Sequence, residues 1–392
     1  MNLQILLLRH YPPVEGPSMR SFADQIASGL RGRGHTVREL TAPVLFGRLL
    51  SRFKLGAKWL GYIDQFLIFP PWLWLQTRLL PRDTLCVLAD QALGPWLPWL
   101  GGRAHVVHCH DLLALEAAFG LQPFHRLSRS GRLYQHWILQ GFQRGRCFLS
   151  VSAATQSALE RYLSQRPLLS TVLHNPLSPR FGVLPRVQAL TAMWQALPQI
   201  GQEPFLFHIG SVWYKNRQGV LAIWEQLHLL GLPQHLVLVG PLDAALQAWL
   251  DQHSHLRPWL HVLNRASDQL VVTLYNLASA LLFPSHAEGF GWPILEALAC
   301  GCPVITSNRS PMTEVGGEAV TTISPAPPPP EPLQIWALEA AQQVQRVLSR
   351  SAAEQERIRQ LGFAQARRFQ LDPWLDELER HYHQALALQE SP

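Results

Sequence analysis

The sequence predicts an α/β protein built of two Rossmann-like, doubly wound units, and three stretches carry that prediction. Residues 3–8 form an apolar run, a polar loop follows, Phe22, Ile26 and Leu30 mark one face of a helix over residues 20–30, and a second strand begins after Gly34. That strand–loop–helix–strand order opens a Rossmann-like unit. The same order restarts at residues 205–211, Phe-Leu-Phe-His-Ile-Gly-Ser. At residues 280–306 an apolar run, a glycine loop, a short helix and another apolar run follow one another. A length of 392 residues suits two domains, and 47% hydrophobic against 15% charged residues supplies core material with no bias toward disorder. The expected division is residues 1–180 for the first unit, 181–204 for a linker, 205–370 for the second unit and 371–392 for a terminal helix.

Each element has a local reason. In the first unit the loop Arg9-His10-Tyr11-Pro12-Pro13-Val14-Glu15-Gly16-Pro17 interrupts the strand pattern. Residues 84–89 and 104–108 read as the next strands, with Trp96, Trp99 and Leu100 between them. His110-Asp111 follows the second of these. Ligand sites of open α/β sheets lie beyond the carboxyl ends of strands, so this pair is well placed. The competing reading makes Asp111 a helix cap and His110 passive. A helix up to Arg146, a strand at 147–151 and a helix capped by Ser152 complete the unit, which ends on Val172-Leu173-His174-Asn175-Pro176. Asn175 is either a cleft residue or a turn residue. One amphipathic helix falls within 180–197 of the linker.

In the second unit, Gly210-Ser211 leads into Val212-Trp213-Tyr214-Lys215-Asn216-Arg217. A strand running into glycine and then cations at a helix start makes an anion site; a solvated cationic helix start is the bland alternative. Residues 235–240 and 259–263 read as strands, 270–280 as a helix, 312–318 as a loop and turn, and 319–323 as a strand. Residues 324–332 form a proline-rich surface loop. Helices are expected at 335–348 and 352–367, a break at 369–374 and a last helix at 375–388.

Composition narrows the function classes. The five cysteines are odd in number, and none stands in a Cys-x-x-Cys pair. Cys300 and Cys302 are too close for an easy disulfide and do not match a zinc knuckle, so a reduced, cytoplasmic compartment is expected. Residues 1–8 lack the basic start and cleavage site of a signal peptide, and no run of about 20 apolar residues is present. The net charge of +6 is not arranged as a nucleic-acid stripe, and the 17 histidines are scattered rather than clustered as metal ligands. Residues 46–82 mix Arg48, Arg52, Lys54, Lys58 and Arg78 with Phe53, Trp59, Tyr62, Phe66, Phe69, Trp72 and Trp74. Such a stretch suits a peripheral position on an anionic inner membrane face. The alternative is an ordinary segment with aromatics in the core and cations in water.

The stretch from Pro284 to Glu318 organises the rest. Glu288, Gly289-Phe290-Gly291 and then Trp292-Pro293 place a polar glycine loop before a helix, since proline in the first turn loses no needed donor. Gly301 is placed to end that helix in the left-handed conformation. A helix N-terminus carries unpaired N–H groups and a partial positive charge, and glycines let an anion approach them. Glu288 and Glu296 flank this cradle, and carboxylates there are best satisfied by sugar hydroxyls. Phosphate with sugar hydroxyls describes a sugar nucleotide.

Two glutamates separated by seven residues, Gly-Phe-Gly after the first and Glu-Ala-Leu-Ala-Cys-Gly-Cys-Pro-Val-Ile at the second, resemble the signature of retaining glycosyltransferase family 4. The resemblance implies the GT-B fold, two Rossmann-like domains facing a cleft with the terminal helix crossing back to the first. It also implies retaining transfer of a hexose-type sugar from a nucleotide-diphosphate sugar to a glycan or lipid-linked acceptor, with no metal or other cofactor. Carried onto this chain, it places Glu288 and His110 at the donor sugar and Glu296 at the ribose. Lys215, Arg217, Asn216, Gly210, Gly289, Phe290 and Gly291 fall around the diphosphate, and Gly16, Asp111 and Asn175 on the acceptor side. The chain departs from the family twice: Tyr214 stands where an arginine is common, and Gly16 alone remains of the first loop's glycines. A silent relative that binds a sugar nucleotide or a protein partner, and a sugar-nucleotide epimerase, are the alternatives. A nicotinamide dehydrogenase is disfavoured, because no Gly-x-Gly-x-x-Gly follows the first strand.

Overall fold

A computed structural model describes residues 2–49 and 57–390. They fall into two compact units, one of residues 1–121, 126–175 and 372–392, the other of residues 122–125 and 176–371.

The first unit holds six parallel strands, β1 (Gln4–Leu8), β2 (Thr36–Leu40), β3 (Leu85–Leu88), β4 (His105–Cys109), β5 (Cys147–Ser150) and β6 (Leu169–Val172), in the order β2-β1-β3-β4-β5-β6. The second holds β7 (Phe205–Ile209), β8 (His235–Val239), β9 (Leu260–Leu263), β10 (Ala280–Phe283), β11 (Val304–Ser307) and β12 (Val320–Ile323), in the order β12-β11-β10-β7-β8-β9. The central strands are buried along their whole length, which is why they read as unbroken apolar runs rather than alternating ones. Each sheet starts in its middle, runs to one edge and then builds the other side. The strand order therefore reverses between β1 and β3 and again between β7 and β10, and a crevice opens at such a point.

The helices follow from local chemistry. Helix α1 (Pro17–Gly32) starts on a proline and buries Phe22, Ala23, Ile26, Ala27 and Leu30, the predicted stripe. Helices α2 (Phe69–Leu79) and α3 (Arg129–Phe142) also belong to the first unit, and α4 (Arg217–Leu229) and α5 (Trp292–Ala299) to the second. Gly301, at φ +77°, stands just after α5 as expected. The region before α2 is helical over Ala57–Ile63 and takes a π-type turn over Asp64–Ile68. Asp64 explains the local shape. Its carboxylate accepts from the amides of Leu45, Phe46 and Gly47 at 3.0–3.1 Å and from the Tyr11 hydroxyl at 2.7 Å. Burial alone would raise this carboxyl, and those hydrogen bonds outweigh it and lower it. Arg52, Phe53 and Lys54 lie outside the described residues.

Four local readings are corrected. The break expected at 369–374 is confined to residues 368–370, because α6 (Leu371–Glu390) begins at Leu371 and Pro373 falls in its first turn, where a missing N–H costs nothing. The helix expected at 270–280 spans Asp268–Leu277, capped by the Ser267 hydroxyl, and stops because β10 must start. Residues 312–318 form a short helix, Met312–Gly316, held by wholly buried Met312 and Val315. Residues 176–204 fold with the second unit: Asn276 donates to the Gly182 carbonyl at 3.0 Å and accepts from Leu184 N–H at 2.8 Å, and the helix Arg186–Ala196 buries Ala189 and Met193.

Within the first unit α6 lies against α1 and the sheet. Trp374 packs edge-on to Phe22, and the Tyr382 hydroxyl meets His108 Nε2 at 2.8 Å. A Cβ on Gly29 would come within 2.6 Å of the Leu375 side chain, so glycine permits this close approach. Arg33 bridges to Asp376 and Glu379.

Candidate donor and acceptor sites

In the second unit the predicted residues gather at the reversal between β7 and β10. Beyond β7, Gly210 adopts φ +111°, and a Cβ there would meet the Lys215 side chain at 3.0 Å. The glycine thus lets Lys215 fold back over the strand end. Lys215 Nζ donates to Glu288 Oε1 at 2.7 Å and sits 4.4 Å from the centre of the Phe283 ring. Ser285, also beyond β10, donates to the same oxygen at 2.7 Å. Among the described residues both of these hydrogen bonds fall on Oε1, and none to Glu288 Oε2 is formed. Asn216 is left-handed at φ 53° and caps α4: its Oδ1 accepts from Gly219 N–H and its Nδ2 donates to the Pro284 carbonyl, both at 3.0 Å. Asn216 therefore ties the two sides of the crevice together.

Gly291, at φ +107°, is the N-cap of α5 and makes no side-chain cap; Pro293 has no N–H and Ile294 N–H bonds the Gly291 carbonyl at 3.0 Å. Phe290 is buried edge-on against Trp292 and Phe369, which anchors the loop that also holds Gly289. Glu296 lies one turn into α5. Tyr275 donates its hydroxyl to Glu296 Oε2 at 3.0 Å, and Oε1 has no protein partner. Burial pushes this carboxyl up to about 7, against the opposing pull of Tyr275, Lys215 and Arg180.

Arg217 has a different role from the one the resemblance suggested for it. Its guanidinium is buried and donates to the carbonyls of Gly240 at 3.2 Å and Pro241 at 2.5 Å, holding the turn after β8. Its Nε has no partner. Burial lowers its proton affinity. Arg217 thus does not replace the arginine for which Tyr214 stands.

In the first unit His110, beyond β4, is buried edge-on against Phe22. Its Nε2 is 2.9 Å from the Ala89 carbonyl, which can only accept, so the proton is on Nε2. Burial lowers its pKa and keeps it neutral near pH 7. Asp111 Oδ1 accepts from Leu113 N–H at 3.1 Å, the capping role. Asn175 is buried with Oδ1 unpartnered. Gly16 is the N-cap of α1 in extended geometry, and an added Cβ would meet nothing within 4 Å.

Sequence reasoning missed a second pair. His10, beyond β1, places Nε2 2.9 Å from Asp90 Oδ2, beyond β3. This is the reversal point of the first sheet, as Lys215 and Glu288 mark that of the second. Burial would lower His10, and the Asp90 charge, with Glu15, outweighs it and raises it; Asp90 is lowered in turn by His10 against its own burial. Among the described residues none forms a hydrogen bond to His10 Nδ1. The signal available was position alone: each residue ends a predicted strand.

A cavity of about 590 Å³ opens at the amino ends of the strands of the second sheet, lined by Ser279, Cys302, Pro303, Arg350 and Arg359, and holds none of the predicted residues. Among the described residues no group of three or more His, Cys, Asp or Glu is placed to hold a metal ion.

Comparison with known proteins adds an independent line. The family model described as "Glycosyl transferases group 1" matches residues 195–334. The O-antigen chain mannosyltransferase B of Escherichia coli is 30% identical over 339 residues, covering 76% of this chain and 84% of that protein. The serotype-specific mannosyltransferase WbdA of Escherichia coli is 31% identical over 151 residues, 36% of this chain and 17% of that longer protein. Among solved structures, the sucrose-phosphate synthase of Thermosynechococcus elongatus superposes with a TM-score of 0.73 at 17% identity, over 98% of this chain and 100% of that one, a likeness of fold.

Proposed function

The chain belongs to the glycosyl transferases group 1 family, with the GT-B fold, and is a glycosyltransferase using a nucleotide-sugar donor; from that premise we propose that it moves a hexose, mannose first among candidates, to a glycan or lipid-linked acceptor. The transfer retains the anomeric configuration and needs no metal ion. The observation that carries the reading is the Lys215–Glu288 pair at the reversal between β7 and β10, beside the glycine that heads α5.

Each group has a task in this reading. Lys215 and the amides near Gly291 hold the diphosphate and stabilise the charge it gains on leaving. Glu288 Oε2 accepts from hydroxyls of the donor sugar, and Glu296 Oε1 from the ribose. The bond from the anomeric carbon to the diphosphate oxygen breaks with its electron pair on the phosphate. The acceptor oxygen forms its bond on the same face, and its proton passes to that phosphate oxygen. His110 contacts the sugar, and the Nδ1 lone pair of His10 accepts a hydrogen bond from a second, non-reacting hydroxyl of the acceptor. A lipid-linked acceptor would hold the enzyme at the cytoplasmic face of a membrane.

The test is a thermal-shift panel of UDP-, GDP-, ADP- and dTDP-sugars on the wild type and Glu296→Ala. At a hundred times the dissociation constant, specific binding stabilises by about 2.7 kcal/mol. A shift with one base, lost in the variant, is expected. A full set of flat responses would overturn the donor site.

Asp90→Asn checks the acceptor side. Without the Asp90 charge, the His10 pKa should fall, seen in the histidine ring protons by NMR. Because neutral His10 is the accepting form, the acid limb of the rate profile should move to lower pH with it. A limb that stays in place would remove His10 from acceptor recognition.

A further inference from the structure

We propose that one face of the first unit, built by α2 and α3, docks on an anionic lipid surface. Leu67, Trp74, Leu75 and Leu79 are 66%, 40%, 49% and 70% exposed along one broad side of the helical stretch that ends in α2. Leu133 and Trp137, one turn apart on α3, are 74% and 42% exposed. Phe66 packs edge-on against Trp137 at 4.5 Å, joining the two apolar surfaces into one. Single exposed apolar residues are ordinary, whereas a joined face with two tryptophans marks an interaction surface.

Charge selects the occupant. Residues 65–82 contain Arg78 and Arg82 and no Asp or Glu; of the two flanking carboxylates, Asp64 is fully buried and spent on backbone amides, and exposed Asp83 offsets part of the Arg82 charge, so the excess positive charge rests on Arg78 and on the arginines around α3. Residues 117–146 contain Arg126, Arg129, Arg132, Arg144 and Arg146, again with no carboxylate. The Arg78 guanidinium lies 4.3 Å over the Trp74 ring, so charge and indole present together at one level. Indoles at headgroup depth with cations among them suit an anionic bilayer surface. Two copies meeting through this face would oppose like charges. Among the described residues no helix is long and apolar enough to cross a membrane, so the contact is peripheral. The inference deepens the reading of a lipid-linked acceptor, and its test does not depend on transfer.

The full chain is floated with vesicles of phosphatidylglycerol and phosphatidylcholine, and with phosphatidylcholine alone. Binding is expected only with the anionic lipid and should weaken with salt. Arg78→Glu with Arg82→Glu should lower partitioning by about 30-fold or more, from roughly fivefold per cation, and Trp74→Ala with Trp137→Ala by at least about tenfold. Both pairs are exposed, and an unchanged thermal midpoint for each variant certifies its fold. No binding to anionic vesicles, or binding that both double variants leave intact, overturns the proposal. Dimerisation that needs Trp74 and Trp137, without vesicle binding, would assign the face to a second copy. Vesicle binding alongside a flat sugar-nucleotide panel would remove the donor reading and leave this face standing.

Discussion

Lys215→Ala is expected to reduce the transfer rate by roughly 10²–10³ and to lower stability by about 3–5 kcal/mol. The Lys215 and Glu288 side chains are only 11% and 6% exposed at 2.7 Å separation. Removing the ammonium leaves a desolvated carboxylate that keeps the Ser285 hydroxyl as a side-chain donor. It also removes the cation placed for the leaving diphosphate, and Arg217 is committed to the Gly240 and Pro241 carbonyls. The two effects separate in a cycle. Lys215→Met combined with Glu288→Gln should recover most of the stability, since a buried pair replaced as a whole costs little, but none of the rate. Urea unfolding and steady-state kinetics on the four proteins decide it. A stability loss with an unchanged rate per folded molecule would make the pair structural.

Glu296→Gln should stabilise the protein near pH 8 while weakening donor binding by about 10–100-fold, the range for a hydrogen bond to a charged group. Burial holds this carboxyl up to about 7 from an ordinary 4.5. The folded state thus binds a proton that the unfolded state gives up, and stability from this group is full below pH 4.5 and lost as pH rises through 7. The loss is at most about 3 kcal/mol. Glutamine, which cannot ionise, should abolish that slope. Donor hydroxyls favour the carboxylate, so wild-type affinity should tighten from pH 6 to pH 8 with proton release, visible as a buffer-dependent binding enthalpy. Equal slopes of unfolding free energy in both proteins, or a dissociation constant flat with pH, would refute the assignment.

Much of this was legible in the chain. The start of α5 on Trp292-Pro293, its end before Gly301 and the strands around them follow from rules that act over a few residues. The break expected at 369–374 came out shorter, at residues 368–370, because proline reads as a breaker until one knows it stands in a first turn. The linker expected at 181–204 failed because Asn276, far along the chain, binds Gly182 and Leu184.

What the sequence by itself determined is therefore the set of strand ends and the kinds of residue placed on them: glycines for close approach, a lysine, two glutamates and a histidine. Only the tertiary structure decided which ends become neighbours. His10 meets Asp90 across 80 residues and Lys215 meets Glu288 across 73, because the strand order reverses there in each sheet. It also decided that Arg217 turns to backbone carbonyls, and that Glu296 holds its proton near neutrality. The reason is physical: strand identity is written in local side chains, but neighbours in a parallel sheet and the dielectric around a carboxyl are set by residues distant in the chain.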